Sequence, residues 1–487
     1  MGFKRSNNTP SIYWHDYETF GTNPKTDRPA QFAGIRTDFD LNIISEPLVI
    51  YAKPATDFLP SPEACLITGI TPQHTLKHGL PETEFIGQIL KEFSQPNTCV
   101  AGYNSIRFDD EFTRYSLYRN LYDPYAREWQ NGNSRWDIID LVRVTNALRP
   151  EGIEWPERES GVSSFRLEEL TKANGITHES AHDALSDVHA TIAMAKLIKD
   201  KQPRLYDYVF QHRNKRKIAE LLDMDNQKPV LHTSSMFPAE THCTTLVVPL
   251  IQHPRNSNGV VCFDLRSDPS EMLSLDASAI RERLYTPAKE LAENQQRIAL
   301  KTIHINKCPI VVPAKLDEST EQRLKIDKET CLKHLTQIRK SEELVDKLIE
   351  VFDHNPFEVE SDPDYALYSG AFFSEYDKTL MRKLHTYKPS SLVDKSFDFE
   401  DERLDTLYFR YRARNYPEFL LDDEKFQWYS YCQSKLLHDD SSYFNFTKFS
   451  ETINTLKQSD NINEKQRDLL DKLSLYGNEL KNSLSNQ

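Results

Sequence analysis

Five side chains in this chain have the types and spacing to cut a phosphodiester bond: Asp16, Glu18, Asp109, His182 and Asp187. Asp16 and Glu18 lie in "YWHDYETF", where Ile12, Tyr13 and Trp14 read as a buried strand. In a strand, residues i and i+2 share a face, so both carboxylates project together. Like charges this close repel unless a cation lies between them, and a hard divalent ion bound by oxygen is the usual answer. "GYNSIRFDDEFTR" offers Asp109 or Asp110 at the start of a helix. The pattern favours the first, although acids in a first helical turn also suit the helix dipole. In "ESAHDALSDVHAT", His182 and Asp187 are five residues apart, ~140° around an ideal helix. His182 is therefore expected in the lead-in to a helix, with Asp183 as its cap and Asp187 on its first turns. Asp-x-Glu, a later Asp and a His-x4-Asp together supply four carboxylates and one imidazole. Four carboxylates in that order hold two divalent ions for a phosphoryl displacement, and a neutral imidazole takes the proton of the attacking water.

The elements that must position these residues are legible in the hydrophobic pattern. "IYWHDYETF", "AQFAGIRTDFD" and "PLVIYAKPA" read as three strands, and "TCVAGYN" as another. "PETEFIGQILKEF" is an amphipathic helix with Phe85, Ile86, Ile89, Leu90 and Phe93 on one face. "DDEFTRYSLYRNLY", "FRLEELTKANG" and "AHDALSDVHATIAMAKLIKD" are further helices, the second stopping at Gly175. Strands followed by alternating strands and helices predict an α/β domain with a mixed sheet packed by helices. Residues 201–217 are basic and aromatic. Residues 240–315 carry short strands separated by Pro, Asn and Gly, the mark of a β-rich domain. Beyond 322 helices take over, with Leu344, Val345, Leu348, Ile349 and Phe352 forming one face. The acidic stretch 353–365 reads as a linker, and the final "NSLSNQ" is expected to fray.

Bulk properties agree with several folded domains. At about 150 residues per domain, 487 residues predict roughly three. The net formal charge of −14 argues against a non-specific DNA coat protein, but not against an enzyme with local basic patches. Seven scattered cysteines without a Cys-x-x-Cys point to small core hydrophobes in a reducing compartment. No apolar run approaches the ~18 residues of a membrane span, and "MGFKRSNNTPS" lacks a signal-peptide core. A cytoplasmic location is expected.

The acids and histidine resemble the DEDDh exonuclease pattern, and "HDYETFGTNPKTDRPAQFAGIRTD", "LITGITPQ", "GYNSIRFDDEFTR", "LTKANGI" and "YRARNYP" resemble bacterial exodeoxyribonuclease I, a resemblance that runs through the whole chain. It implies an RNase H-like exonuclease domain over 12–200, an SH3-like DNA-binding domain over 201–355 and a helical C-terminal domain over 360–487, enclosing a groove for a single strand. It implies processive 3′→5′ degradation of single-stranded DNA to 5′-mononucleotides, in repair and recombination, by a monomeric enzyme using two Mg²⁺ ions. The ligands fall on Asp16, Glu18, Asp109 and Asp187, and the general base on His182. Substrate contacts implied by the resemblance are Glu18, Arg166, Arg114, Tyr125, Trp129, Arg143, Asn258, Lys301 and Asn306, with Lys307 nearby. Arginine suits phosphate and aromatics stack bases without reading sequence. Core packing is the plain alternative for Tyr125 and Trp129, and a surface helix position for Arg166. The family also docks the acidic C-terminal tail of single-strand binding protein, for which Arg149 and residues 204–217 are candidates; a solvated basic face is the simpler reading of that stretch. A DEDDh RNase is the competing enzyme, disfavoured by the ~290 residues beyond the nuclease domain. A DNA-binding adaptor with a decayed site is disfavoured by the intact acids and histidine.

Overall fold

The computed structural model describes residues 9–158, 161–178, 183–293, 295–354, 360–438 and 443–485. The chain divides into two compact units: residues 1–134, 179–189 and 357–487 form one, and 135–178 with 190–356 the other.

The first unit is built on a mixed sheet. β1 (Ser11–Thr19) pairs antiparallel with β2 (Pro29–Thr37), which pairs antiparallel with β3 (Leu48–Tyr51). On its other side β1 runs parallel to β4 (Thr98–Gly102). Alternation along β1 sends Tyr13 and Tyr17 into a core with Phe32, Phe85, Ile89 and Phe93. Period two therefore puts Asp16 and Glu18 on the opposite face. The helix Glu82–Phe93 covers the core through Phe85, Ile86, Ile89 and Phe93, as its spacing predicts. Gly102 ends β4 where a Cβ would come 2.9 Å from the His15 carbonyl oxygen. Asn104, in the left-handed region at φ 60°, then turns the chain toward the helix Asp109–Arg119.

The C-terminal helices belong to this same unit. Arg403–Asn415, Asp422–Leu436, Phe446–Lys457 and Glu464–Ser485 build a core that includes Phe20, Phe58 and Cys65 of the N-terminal region. Two expectations are corrected here. The end of the acidic "linker" is structured: Pro363–Tyr365 form a turn with Asp364 and Tyr365 buried, because Asp364 is paired by arginines. The C-terminal helix does not fray through Ser485, because Leu484 is fully buried against its neighbours; residues 486–487 lie outside the described residues.

The second unit opens on β5 (Ser134–Asp137), whose first residue is the last of the preceding stretch, and the helix Ile138–Leu148. Its centre is an antiparallel sheet of β6 (Val230–Thr233), β7 (Thr244–Gln252), β8 (Gly259–Asp264), β9 (Leu300–His304) and β10 (Ile310–Pro313), in the order β10-β6-β7-β8-β9. This is the β-rich region expected from the pattern. In the helix Leu344–Phe352 the buried residues are Leu344, Leu348, Val351 and Phe352, while Val345 and Ile349 are exposed. The expected face is therefore rotated, because the helix packs against Ala277–Tyr285 and β7 through its 344/348/351 ridge. All seven cysteines are free, six of them buried. No helix among the described residues is long and apolar enough to cross a membrane.

Candidate active site

Carboxylate oxygens of Asp16, Glu18 and Asp187 lie within 4.8 Å of one another. Strand periodicity aims the first two. The third is brought in by the start of the helix Ala184–Lys201, and β2 holds that start in place. Gln31, the cross-strand partner of Glu18, donates from Nε2 to Asp183 Oδ1 at 3.4 Å and accepts from the Ala184 backbone N–H at 3.5 Å. Asp183 caps the helix by accepting from Ser186 N–H at 3.3 Å, the role its position predicts. Asp187 follows on the first turn.

Asp109 and Asp110 are separated by their partners. Asp109 Oδ1 accepts from the Tyr17 backbone N–H at 3.1 Å, between the two carboxylates of β1, and its charge acts directly on Asp16. Asp110 is instead bonded by Arg127 Nη2 at 2.6 Å, both side chains being buried. Asp109 thus lies beside the β1 carboxylates, while Asp110 is taken up by Arg127. His182 lies outside the described residues, as do 179–181.

The electrostatics record the crowding. Burial, then Asp109, Glu18 and Asp187, push the Asp16 carboxyl well above the usual carboxylate range. Burial, then Asp187 and Asp183, push Glu18 up to about 8. A site of oxygen donors only, strained by its own negative charge, fits hard divalent cations rather than soft ones.

The expected substrate contacts are dispersed. Trp129 is 66% exposed, which sets aside core packing. Tyr125 is half-buried, with the Arg114 guanidinium 5.5 Å from its ring and the exposed Phe372 edge-on at 5.4 Å. Arg114 itself is buried and bonded by Glu111 and Glu128, both at 2.8 Å, and by the Tyr368 hydroxyl. Phe372 and Tyr368 were not singled out in the sequence; only their aromatic type in an acidic neighbourhood hints at them.

In the other unit, Arg166 is exposed with Glu169 at 3.7 Å. Arg143 pairs with Asp140 at 2.6 Å beneath the Phe165 ring. Asn258 sits on the turn between β7 and β8, its carbonyl accepting from Ile305 N–H and so lying beside Asn306. Lys301 lies further back on β9, opposite Cys262.

An oxygen-only acid cluster on a mixed sheet is the equipment of a divalent-ion phosphodiesterase. Residues 13–195 match the family model described as Exonuclease, which defines the class. Residues 213–354 match the Exonuclease I SH3-like domain and 361–480 the Exonuclease I C-terminal domain. Exodeoxyribonuclease I of Haemophilus influenzae is 47% identical over 470 residues, covering 96% of this chain and 98% of that protein. The crystal structure of the moderately thermophilic exonuclease I of Methylocaldum szegediense is similar at a TM-score of 0.93 and 49% identity, covering 97% of this chain and 99% of that one. A zinc-ion-bound complex of Escherichia coli exonuclease I with single-stranded DNA is similar at a TM-score of 0.92 and 45% identity, covering 97% and 100%. The chain belongs to the exonuclease I family.

Proposed function

We propose that this chain is a processive 3′→5′ exonuclease that hydrolyses single-stranded DNA to 5′-mononucleotides in repair and recombination. The observation that carries this reading is the convergence of Asp16, Glu18 and Asp187, with Asp109 beside them, in a chain of the exonuclease I family. The functional divisions are placed at 12–200, 201–355 and 360–487, a reading supported by the extents of the three family matches.

Asp16, Glu18, Asp109 and Asp187 would hold two Mg²⁺ ions. When bound, such ions supply charge stabilisation to the attacking and leaving oxygens of the displacement. His182, five residues before Asp187, takes the proton of the attacking water. Gln31 and Asp183 fix the helix that carries Asp187. Trp129 and Tyr125, with Phe372, offer ring faces and edges to bases, while Arg166, Arg143, Lys301, Asn258 and Asn306 are assigned to the strand as positively charged or polar contacts. Arg114, already held by two carboxylates, acts by fixing Tyr125. A monomer in the cytoplasm is the proposed state. The acidic tail of single-strand binding protein is assigned to the notch beside Tyr208, His212 and Arg213, which with Trp136 and Ile310 line a small pocket.

The test is digestion of 5′-labelled DNA and RNA single strands with and without Mg²⁺. Shortening from the 3′ end, on DNA and only with the ion, is expected. His182→Ala should lower kcat by about 10²–10⁴-fold with ion affinity little changed. Binding without cutting by the wild-type chain would replace the enzyme with an adaptor. A preference for RNA would keep the chemistry and change the substrate. Trp129→Ala should weaken single-strand binding by about 1–3 kcal/mol without altering thermal stability, measurable by fluorescence anisotropy.

A further inference from the structure

Away from the acid cluster, the first unit buries an unusual concentration of cations. Arg28, Arg119, Arg414, Lys435 and Arg410 meet the carboxylates of Asp57, Glu82, Asp362 and Asp364, and the Asp27 charge acts on Arg28 and Arg119 as well. Arg414 is fully engaged, bonding Asp57 at 2.9 Å through Nη2 and Asp364 at 2.8 Å through Nη1. Arg28 is not. It is 4% exposed, its Nη1 donates to the Thr26 and Asp27 carbonyls, and Nη2 is 3.9 Å from Asp57. Neither Nε nor Nη2 of Arg28 has a hydrogen-bond acceptor among the described residues, and the same holds for Nε and Nη1 of Arg119. Buried donors are rarely left so, because an unmade hydrogen bond in the interior costs the full desolvation of the donor.

A cavity of about 30 Å³ adjoins these donors, lined by Arg28, Arg414, Lys53 and Glu82 between Pro29 and Pro54. That is room for two or three waters, and so for one compact ion. Glu82 does not oppose an anion with a free charge, because Arg119 and Ser116 already bond its Oε1 at 2.7 and 3.1 Å. The cations also act on one another: burial and neighbouring arginines hold Lys435 and Arg119 below their ordinary values.

We infer that this cavity is a binding site for a small inorganic anion, a halide or a compact oxyanion, held by Arg28 with Lys53 at its rim. The ion accepts from the Arg28 donors left without partners and ties the helix Arg403–Asn415 to the segments around Arg28 and Pro54. It is independent of the cleavage reaction.

Thermal unfolding of the full chain at constant ionic strength, with gluconate replaced stepwise by chloride or phosphate, tests it. The melting temperature should rise with the logarithm of the small anion's concentration, as for any ligand of the folded state. Arg28→Met should abolish that dependence. Because this variant removes a buried charge, Lys53→Ala at the exposed rim provides the second reading: it should raise the half-saturating concentration about two- to fivefold and leave the anion-free melting temperature unchanged. Crystals of the full chain in bromide should show an anomalous peak at the Arg28 guanidinium if the ion is a halide. A response to phosphate with no such peak assigns an oxyanion. Equal anion responses in wild type, Arg28→Met and Lys53→Ala, with water at the site, would overturn the inference.

Discussion

Asp187→Asn is expected to lower the cleavage rate about 10³–10⁴-fold and, in chelator, to raise the melting temperature. The first effect follows from what the cluster is for: metal-assisted charge stabilisation is worth several kcal/mol, and each 1.36 kcal/mol is tenfold in rate. The second follows from the crowding of three carboxylates within 4.8 Å. Without a cation, removing one charge relieves the others. An ordinary structural acid gives the opposite pairing, so loss of activity with gain of metal-free stability separates a ligand from a scaffold residue. If Asp187→Asn destabilises the metal-free chain and leaves cleavage intact, the cluster is not the centre.

The pH dependence of the metal-free chain should carry the same signature. Glu18 is raised from an ordinary 4.5 to about 8, and Asp16 is raised as well. A carboxyl whose folded value is raised binds its proton more tightly in the folded state. Its contribution is full below the unfolded value and is lost as pH rises through the folded one. In chelator, the melting temperature is therefore expected to fall between about pH 5 and pH 8 through these two groups. Saturating divalent ion should flatten or reverse that slope, since the ion binds only the deprotonated set. Differential scanning fluorimetry across pH, with and without Mg²⁺, reads both. A slope unaffected by the ion would detach the raised carboxyls from metal binding.

Asp16 and Glu18 were legible in the sequence because the period of a strand is two, and the apolar run before them announces the strand. Asp187 was legible through its helix, and Asp183 as the cap of that helix. The pattern favoured Asp109 over Asp110 without deciding it, because both begin the same helix. Arg127, which lies on a later turn, takes Asp110 and leaves Asp109 beside Asp16. The rotated face of Leu344–Phe352 has a similar cause. Its apolar residues nearly encircle the helix, so only the neighbours determine that Val351 goes in and Val345 stays out. The aromatic partners of Tyr125 were hidden for another reason: Phe372 is distant in sequence and reaches it only through tertiary packing. What the pattern of a segment carries is its own period, and what it omits is the partner contributed from elsewhere.

The largest stability effect is expected at such a long-range partner. Asp364→Asn should destabilise the first unit by about 3–5 kcal/mol, the cost of leaving buried cations without their counter-charge. Asp364 is fully buried and accepts from both Arg414 and Arg410, at 2.8 Å each. These arginines hold it below the usual carboxylate range although burial alone would raise it. A depressed carboxyl contributes its stability above its unfolded value and loses it as pH falls, the reverse of Glu18. The two sites thus pull the pH profile in opposite directions: the acid cluster weakens the metal-free chain on the alkaline side, and the arginine network weakens it on the acid side. Urea unfolding of wild type, Asp364→Asn, Arg410→Met and the double variant checks the assignment. Because Asp364 and Arg410 touch, their effects should be non-additive by about 0.5–3 kcal/mol, with the double variant less destabilised than the sum. Cleavage at a temperature below the transition should be unchanged in Asp364→Asn, since none of the clustered acids touches it. Additive losses would mean that the network is a set of separate surface-like pairs, and the burial of Asp364 would then have to be stabilised by something other than its arginines.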